Sequence, residues 1–209
     1  MYERLPGAET METFETLEAV ALPIARPNCD TDQIIPARFL SRPRDSGLAD
    51  CLFRDLRFSP DGAEREEFGL NRAPYRDARI IVAERNFACG SSRENAVWAL
   101  HDYGFRAVIA PSFGDIFANN ALKNGVLPVC LPHEIVADLL ARIGAAPGAR
   151  VAIDLPAQIV TAPDGRRHSF DIDPFAKTCL IEGIDELAYT MGLAADIAAF
   201  ERRIERHNH

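Results

Sequence analysis

Residues 79–100 read Arg79-Ile80-Ile81-Val82-Ala83-Glu84-Arg85-Asn86-Phe87-Ala88-Cys89-Gly90-Ser91-Ser92-Arg93-Glu94-Asn95-Ala96-Val97-Trp98-Ala99-Leu100. The run Ile80 to Ala83 is short and apolar, which predicts a buried strand. A polar turn follows at residues 88–92. Ala96, Val97, Leu100 and Tyr103 then recur at helical spacing. Strand, turn and helix within some twenty residues set the pattern for the rest of the chain.

Downstream, Ala107-Val108-Ile109-Ala110 predicts another buried strand, stopped by Pro111. A helix from about Phe113 ends near Lys123-Asn124-Gly125, where the glycine supplies a stop signal. Val126 to Leu131 predicts a third strand, and Glu134 to Ile143 another helix. Such alternation implies a sheet with helices packed on it. Residues 150–155 and 158–162 are β-rich, Ala162-Pro163-Asp164-Gly165 is a turn, and His168 to Ile172 alternates like a half-buried strand. An amphipathic helix is expected from about Ile184 to Ile204. Upstream, residues 17–25 predict a strand, followed by the turn-rich passage Arg26 to Asp32. Residues 41–76 carry Pro43, Gly47, Pro60, Gly62 and Pro74 among many charges, so long loops with short helical pieces are expected. The whole reads as one α/β domain with some antiparallel sheet over residues 11–209. Residues 1–10 read as an extension, and Met11 is a candidate start.

Composition narrows the function. The 209 residues are 47% hydrophobic and 26% charged, ordinary for a globular chain. A chain of this length buries roughly 70% of its unfolded surface and needs no staples. The net charge of −8 argues against nucleic acid and anionic lipid as partners, because both are bound through clustered Lys and Arg. The N-terminus lacks the apolar core of a signal peptide, and no apolar run approaches a membrane span, so a cytoplasmic protein is expected. Cys29, Cys51, Cys89, Cys130 and Cys179 are scattered, without zinc-ribbon or iron–sulfur spacing. Reduced thiols are expected, with Cys51, Cys130 and Cys179 mostly buried. No metal site is expected in this chain.

Chemistry concentrates at residues 89–94. Ser91 followed by Glu94 has the spacing of a capping box, and Gly90 permits a sharp turn. A helix start offers free N–H groups and positive potential. Arg93 adds a forked cation suited to a carboxylate, and Ser91 and Ser92 add hydroxyls. The place suits a small carboxylic acid. On spacing alone the same residues fit at least as well a capped helix whose arginine meets a surface acid. A second cluster, Asn28-Cys29-Asp30-Thr31-Asp32-Gln33, lacks the remaining ligands of a calcium loop and reads locally as a capped turn. A third stretch, Asn119 to Gly125, is uninformative alone.

Taken together the segments resemble the small subunits of 3-isopropylmalate dehydratase, in the aconitase superfamily. The resemblance rests on Asn28 to Leu40, Asn86 to Leu100, Asp102 to Phe113, Asp115-Ile116-Phe117, Asn119-Asn120, Lys123 to Pro132 and Ile172-Asp173-Pro174-Phe175, and it runs from about Met11 to the C-terminus. It implies an aconitase swivel-type domain, with a mixed, barrel-like sheet flanked by helices. It implies Ser91 as the base that removes a proton α to a carboxylate, with Ser92 and Arg93 stabilising the alkoxide and gripping substrate. It places Asp30, Thr31, Asp32 and Gly90 on the substrate side, and Arg42 and Arg44 in a loop, residues 41–47, that reads the substrate side chain. The implied substrate is a small 2-alkylmalate. The implied partner is a large subunit carrying a [4Fe–4S] cluster; no cofactor is expected here. Methylmalate/citraconate or homoaconitate are alternative substrates, and a binding protein without catalysis is a further alternative that intact Ser91, Ser92 and Arg93 oppose. Ala88, Asn95 and Val97 depart from the family's usual Gly, His and Pro.

Overall fold

The computed structural model describes residues 11–91 and 93–192. The expectations for residues 1–10, for Ser92 and for a helix beyond Gly192 lie outside them. In chain order the strands and α-helices are β1 (Thr16–Ile24), α1 (Thr31–Ile34), α2 (Arg54–Arg57), β2 (Ile80–Ala83), α3 (Glu94–Tyr103), β3 (Ala107–Ala110), α4 (Asp115–Lys123), β4 (Leu127–Cys130), α5 (His133–Ala145), β5 (Arg150–Asp154), β6 (Ile159–Thr161), β7 (Arg167–Ser169), α6 (Pro174–Glu182) and α7 (Glu186–Gly192). Residues 37–75 add five single-turn 3-10 helices between Ala37 and Tyr75, which realises the loops with short helical pieces.

The strands form one mixed sheet in the order β4-β3-β2-β1-β5-β6-β7. β1 to β4 are parallel, with Ala21 opposite Ile80, Ile80 opposite Ala107, and Ala107 opposite Leu127. β5 runs antiparallel to β1, and β6 and β7 continue as an antiparallel meander. Every residue of β2 and β3 is buried. That is the signature of parallel strands covered on both faces, and it explains their unbroken apolar text. α5 buries Val136, Leu139, Leu140 and Ile143, a stripe at helical spacing, and lies across β1, β2 and β3. α3 buries Ala96, Val97, Ala99 and Leu100. It stops at Gly104, whose φ of +111° is left-handed. There Gly104 N–H reaches the His101 carbonyl and Phe105 N–H the Leu100 carbonyl, each at 2.9 Å.

Four details differ from expectation. α3 begins at Glu94 with Arg93 as its N-cap and no side-chain cap. The expected capping box does not form; Glu94 instead accepts from Asn124 Nδ2 at 3.0 Å. Cys130 is exposed, because it ends an edge strand, whereas Cys51 and Cys179 are buried as expected. β7 is shorter than the alternating text suggests. Finally, α6 has no counterpart among the expected elements, although Asp173 caps it through Ala176 N–H at 2.9 Å and Pro174 opens it.

Candidate active site

β1, β2 and β3 all end at the same edge of the sheet, and the chain leaving each of them contributes to one platform. In open α/β sheets this carboxyl edge is where ligands bind. The loops continue the strand pairing beyond the strands. Asn28 N–H donates to the Arg85 carbonyl at 3.0 Å, Ala88 N–H to Cys29 at 2.6 Å and Thr31 N–H to Cys89 at 3.0 Å. Phe87 N–H donates to Ser112, and Gly114 N–H returns to Phe87. Asp30 opposite Cys89 and Phe87 opposite Phe113 form isolated parallel bridges. Residues 28–31, 86–91 and 112–114 are thereby sewn together although far apart in sequence.

The sewing needs left-handed backbone. Asn28, Asn86 and Ala88 have φ near +56 to +59°, and Gly90 has +93°. Asparagine tolerates this region because its short amide bonds locally, and here Asn86 Nδ2 donates to Asn28 Oδ1 at 2.8 Å. Ala88 is the residue where the family usually has glycine, and its positive φ shows what the glycine would serve. Val97, another departure, is fully buried in the core.

On this platform Ser91 is exposed at the rim. Its carbonyl accepts from Thr31 Oγ1 at 3.0 Å. Thr31 is only 3% exposed. Asp30 caps α1 by accepting from Gln33 N–H at 2.8 Å, the capped turn read from the sequence. The Arg93 side chain is 16% exposed, and its Nη1 donates to Asp32 Oδ1 at 2.6 Å and to the Ile35 carbonyl at 3.3 Å. Both contacts use the same nitrogen. Among the described residues the Nε and Nη2 edge has no partner, and this edge is the one that takes a carboxylate in a two-pronged fashion. The hydrogen bond from Arg93 holds the Asp32 carboxyl below the usual carboxylate range.

Ser91, Gly90, Arg93, Asp30, Thr31 and Asp32 are therefore brought together. Arg42 and Arg44 are not joined to them by any polar contact among the described residues. Arg42 pairs with Asp50 at 2.8 Å. Arg44 pairs with Asp102 on α3 at 2.8 Å and lies over the Trp98 ring, 5.4 Å from its centroid. Two contributors escaped the reading of the sequence. Ile35 lends a carbonyl to Arg93. Gly114 brings its loop so close that a Cβ there would lie 2.5 Å from the Ala88 carbonyl oxygen. Neither carries a polar side chain, so only three-dimensional contact reveals them.

Burial pushes the Cys29 thiol up to about 12. No three His, Cys, Asp or Glu side chains converge among the described residues. No helix among them is long and apolar enough to cross a membrane.

The Aconitase C-terminal domain family matches residues 11–134 and LeuD_N matches 137–174, which puts this mixed sheet, with its serine–arginine turn at the parallel edge, in the aconitase class of swivel domains. The small subunit of 3-isopropylmalate dehydratase from Paramagnetospirillum magneticum is 50% identical over 91% of this chain and 95% of its own. That from Gluconacetobacter diazotrophicus is 48% identical over 94% of this chain and 95% of its own. The solved structure of 3-isopropylmalate dehydratase from Methanocaldococcus jannaschii superposes with a TM-score of 0.63 at 25% identity, covering 92% of this chain and 98% of that one. The chain belongs to the 3-isopropylmalate dehydratase small-subunit family.

Proposed function

We propose that this chain is the small subunit of a heteromeric hydro-lyase that converts 2-isopropylmalate to 3-isopropylmalate, by dehydration and rehydration, in leucine biosynthesis. The observation that carries the reading is an exposed Ser91 on the same turn as a half-buried Arg93 whose Nε–Nη2 edge has no partner among the described residues, on a platform found in a chain 50% identical to named small subunits. Arg93 takes a substrate carboxylate on that edge while Asp32 and Ile35 hold its other nitrogen. Ser91, as alkoxide, removes the proton on the carbon α to the carboxylate, and the positive guanidinium nearby lowers the cost of that alkoxide. The C–H electron pair becomes the alkene bond, and the hydroxyl leaves the neighbouring carbon with its C–O electron pair as hydroxide, which takes a proton from solvent to be released as water. In rehydration a water gives up a proton to solvent and adds as hydroxide to the carbon that lost the proton, while the proton held by Ser91 goes to the carbon that lost the hydroxyl, which restores the alkoxide. A large subunit bearing a [4Fe–4S] cluster supplies the Lewis acid for the departing hydroxyl. Asp30 and Gly90 border the substrate, Ser92 assists the alkoxide, and the 41–47 loop with Arg42 and Arg44 faces the alkyl group. The assembly works in the cytoplasm, without nucleic acid or membrane.

The test is co-expression with a cluster-bearing large subunit, anaerobic reconstitution, and measurement of alkene absorbance with 2- and 3-isopropylmalate. Ser91→Ala should abolish turnover while subunit association persists. Wild-type turnover in Ser91→Ala would remove Ser91 as the base, and turnover of citraconate alone would reassign the substrate.

A further inference from the structure

We propose that Thr31 is a positioning residue that clamps the Gly90 turn and so fixes the direction in which Ser91 is presented; this rests on the reading of Ser91 as the base. Three observations meet at this residue. Thr31 N–H donates to the Cys89 carbonyl at 3.0 Å, and Thr31 Oγ1 donates to the Ser91 carbonyl, also at 3.0 Å. One residue thus bonds the carbonyl on each side of Gly90. Gly90 is the pivot of the turn, with φ +93°, and glycine is the residue least able to hold a conformation by itself. A Cβ built on it would stand 3.8 Å from Thr31 Oγ1, so the hydroxyl lies over the pivot at van der Waals distance.

The clamp is itself rigid. The Thr31 carbonyl accepts from Ile35 N–H at 2.9 Å, closing α1. Asp30 caps the same helix one residue earlier. Thr31 is β-branched, which restricts χ1, and it is 3% exposed, so little surface remains for substrate. Arg93 is held separately, by Asp32 and Ile35. Loss of the Thr31 hydroxyl therefore frees Ser91 without freeing the carboxylate grip. The consequence belongs to the chemical step and not to binding.

The experiment uses the reconstituted two-subunit enzyme with Thr31→Val, Thr31→Ala, Thr31→Ser and Ser91→Ala. Thr31→Val keeps the shape and lacks the donor. It should lower kcat by about 10- to 100-fold, the cost of a small misplacement of a reacting group, with KM within about twofold of wild type. Thr31→Ser restores the hydroxyl and should recover most of the rate, and size-exclusion chromatography should show all variants associated. Wild-type kcat in Thr31→Val alongside an inactive Ser91→Ala overturns the clamp but leaves the base. A rise in KM with kcat intact also overturns it, since Thr31 would then be a substrate ligand. An active Ser91→Ala instead sinks the underlying reading. If Thr31→Val fails to associate, Thr31→Ala against Thr31→Ser carries the comparison, and equal kcat in those two refutes the clamp.

Discussion

Ala88 holds a left-handed backbone at φ +56° while 97% of its surface is out of solvent, since it is 3% exposed. For an L-residue this conformation costs about 1–2 kcal/mol. Ala88→Gly should therefore stabilise the fold by up to about 1 kcal/mol, the gain being trimmed by the lost methyl and the looser unfolded chain. Ala88→Val, β-branched, should lower the denaturation midpoint. A midpoint that falls for glycine and holds for valine would mean that the methyl, not the backbone, decides here. Gly114 presents the opposite constraint. Its φ of −64° and ψ of 131° suit any residue, but its added Cβ would strike the Ala88 carbonyl oxygen. Gly114→Ala should cost about 1–3 kcal/mol in chemical denaturation and reduce turnover, because the strain falls on the backbone beside Ser91. The thiols offer an independent check. Cys29 is buried with its thiol raised to about 12, whereas Cys130 is exposed. Iodoacetamide at pH 8 should label Cys130 rapidly and spare Cys29 in the native protein. Equal labelling of both, read by peptide mass spectrometry, would contradict the burial.

At the scale of elements, α3 shows both how much was legible and where legibility ended. Its core face is legible because Ala96, Val97 and Leu100 fall at helical spacing, whereas its stop at Gly104 comes from the structure. Its start differs from the capping-box expectation. The Ser91–Glu94 spacing satisfies a capping box, yet Thr31 takes the Ser91 carbonyl from sixty residues away, and Asn124 takes Glu94. Local spacing cannot register competitors so distant in sequence. The same limit applies to the site. Ser91 and Arg93 were legible as chemistry-bearing residue types, but the Asp32 and Ile35 contacts to Arg93 exist only once β1 and β2 lie side by side. α6 carries local signals, Asp173 as its cap, Pro174 at its first position and Gly183 after it; of these, Asp173 and Pro174 enter the sequence reading only as part of the resemblance, and Gly183 does not enter it. Asn124 is the joint of α3 and α4. Its Oδ1 accepts from Trp98 Nε1 at 2.9 Å, and its Nδ2 serves Glu94 and the Asn120 carbonyl. Asn124→Ala would orphan a partly buried indole N–H and should destabilise by about 1–2 kcal/mol. Asn124→Asp keeps the acceptor for Trp98 but sets a second carboxylate against Glu94. It should lose stability as pH rises above the carboxylate range, and an alanine-like, pH-independent loss would show that the Trp98 bond contributes little.

Across the whole molecule the sheet is divided by β1. On one side lie the parallel strands that aim the site loops; on the other, the antiparallel β5-β6-β7 meander ends at an edge where Arg167 and Ser169 are exposed and His168 is half-buried. β2 and β3 are interior strands with all eight residues buried, flanked by paired neighbours on each side. Local opening requires little buried surface and few paired neighbours, so the two halves should not open together. Native-state hydrogen exchange should find the amides of β2 and β3 exchanging only through global unfolding, and those of β7 exchanging first through fraying at the edge. The site sits between these extremes. Its loops are hydrogen-bonded to one another beyond the strand ends, and Phe87 and Ala88 are buried. The Phe87, Ala88 and Thr31 amides should therefore be protected nearly as well as β2, although they belong to loops. Exchange of these three at the rate of β7 would mean that the platform opens independently of the sheet, and Ser91 would then have no fixed support in the isolated subunit.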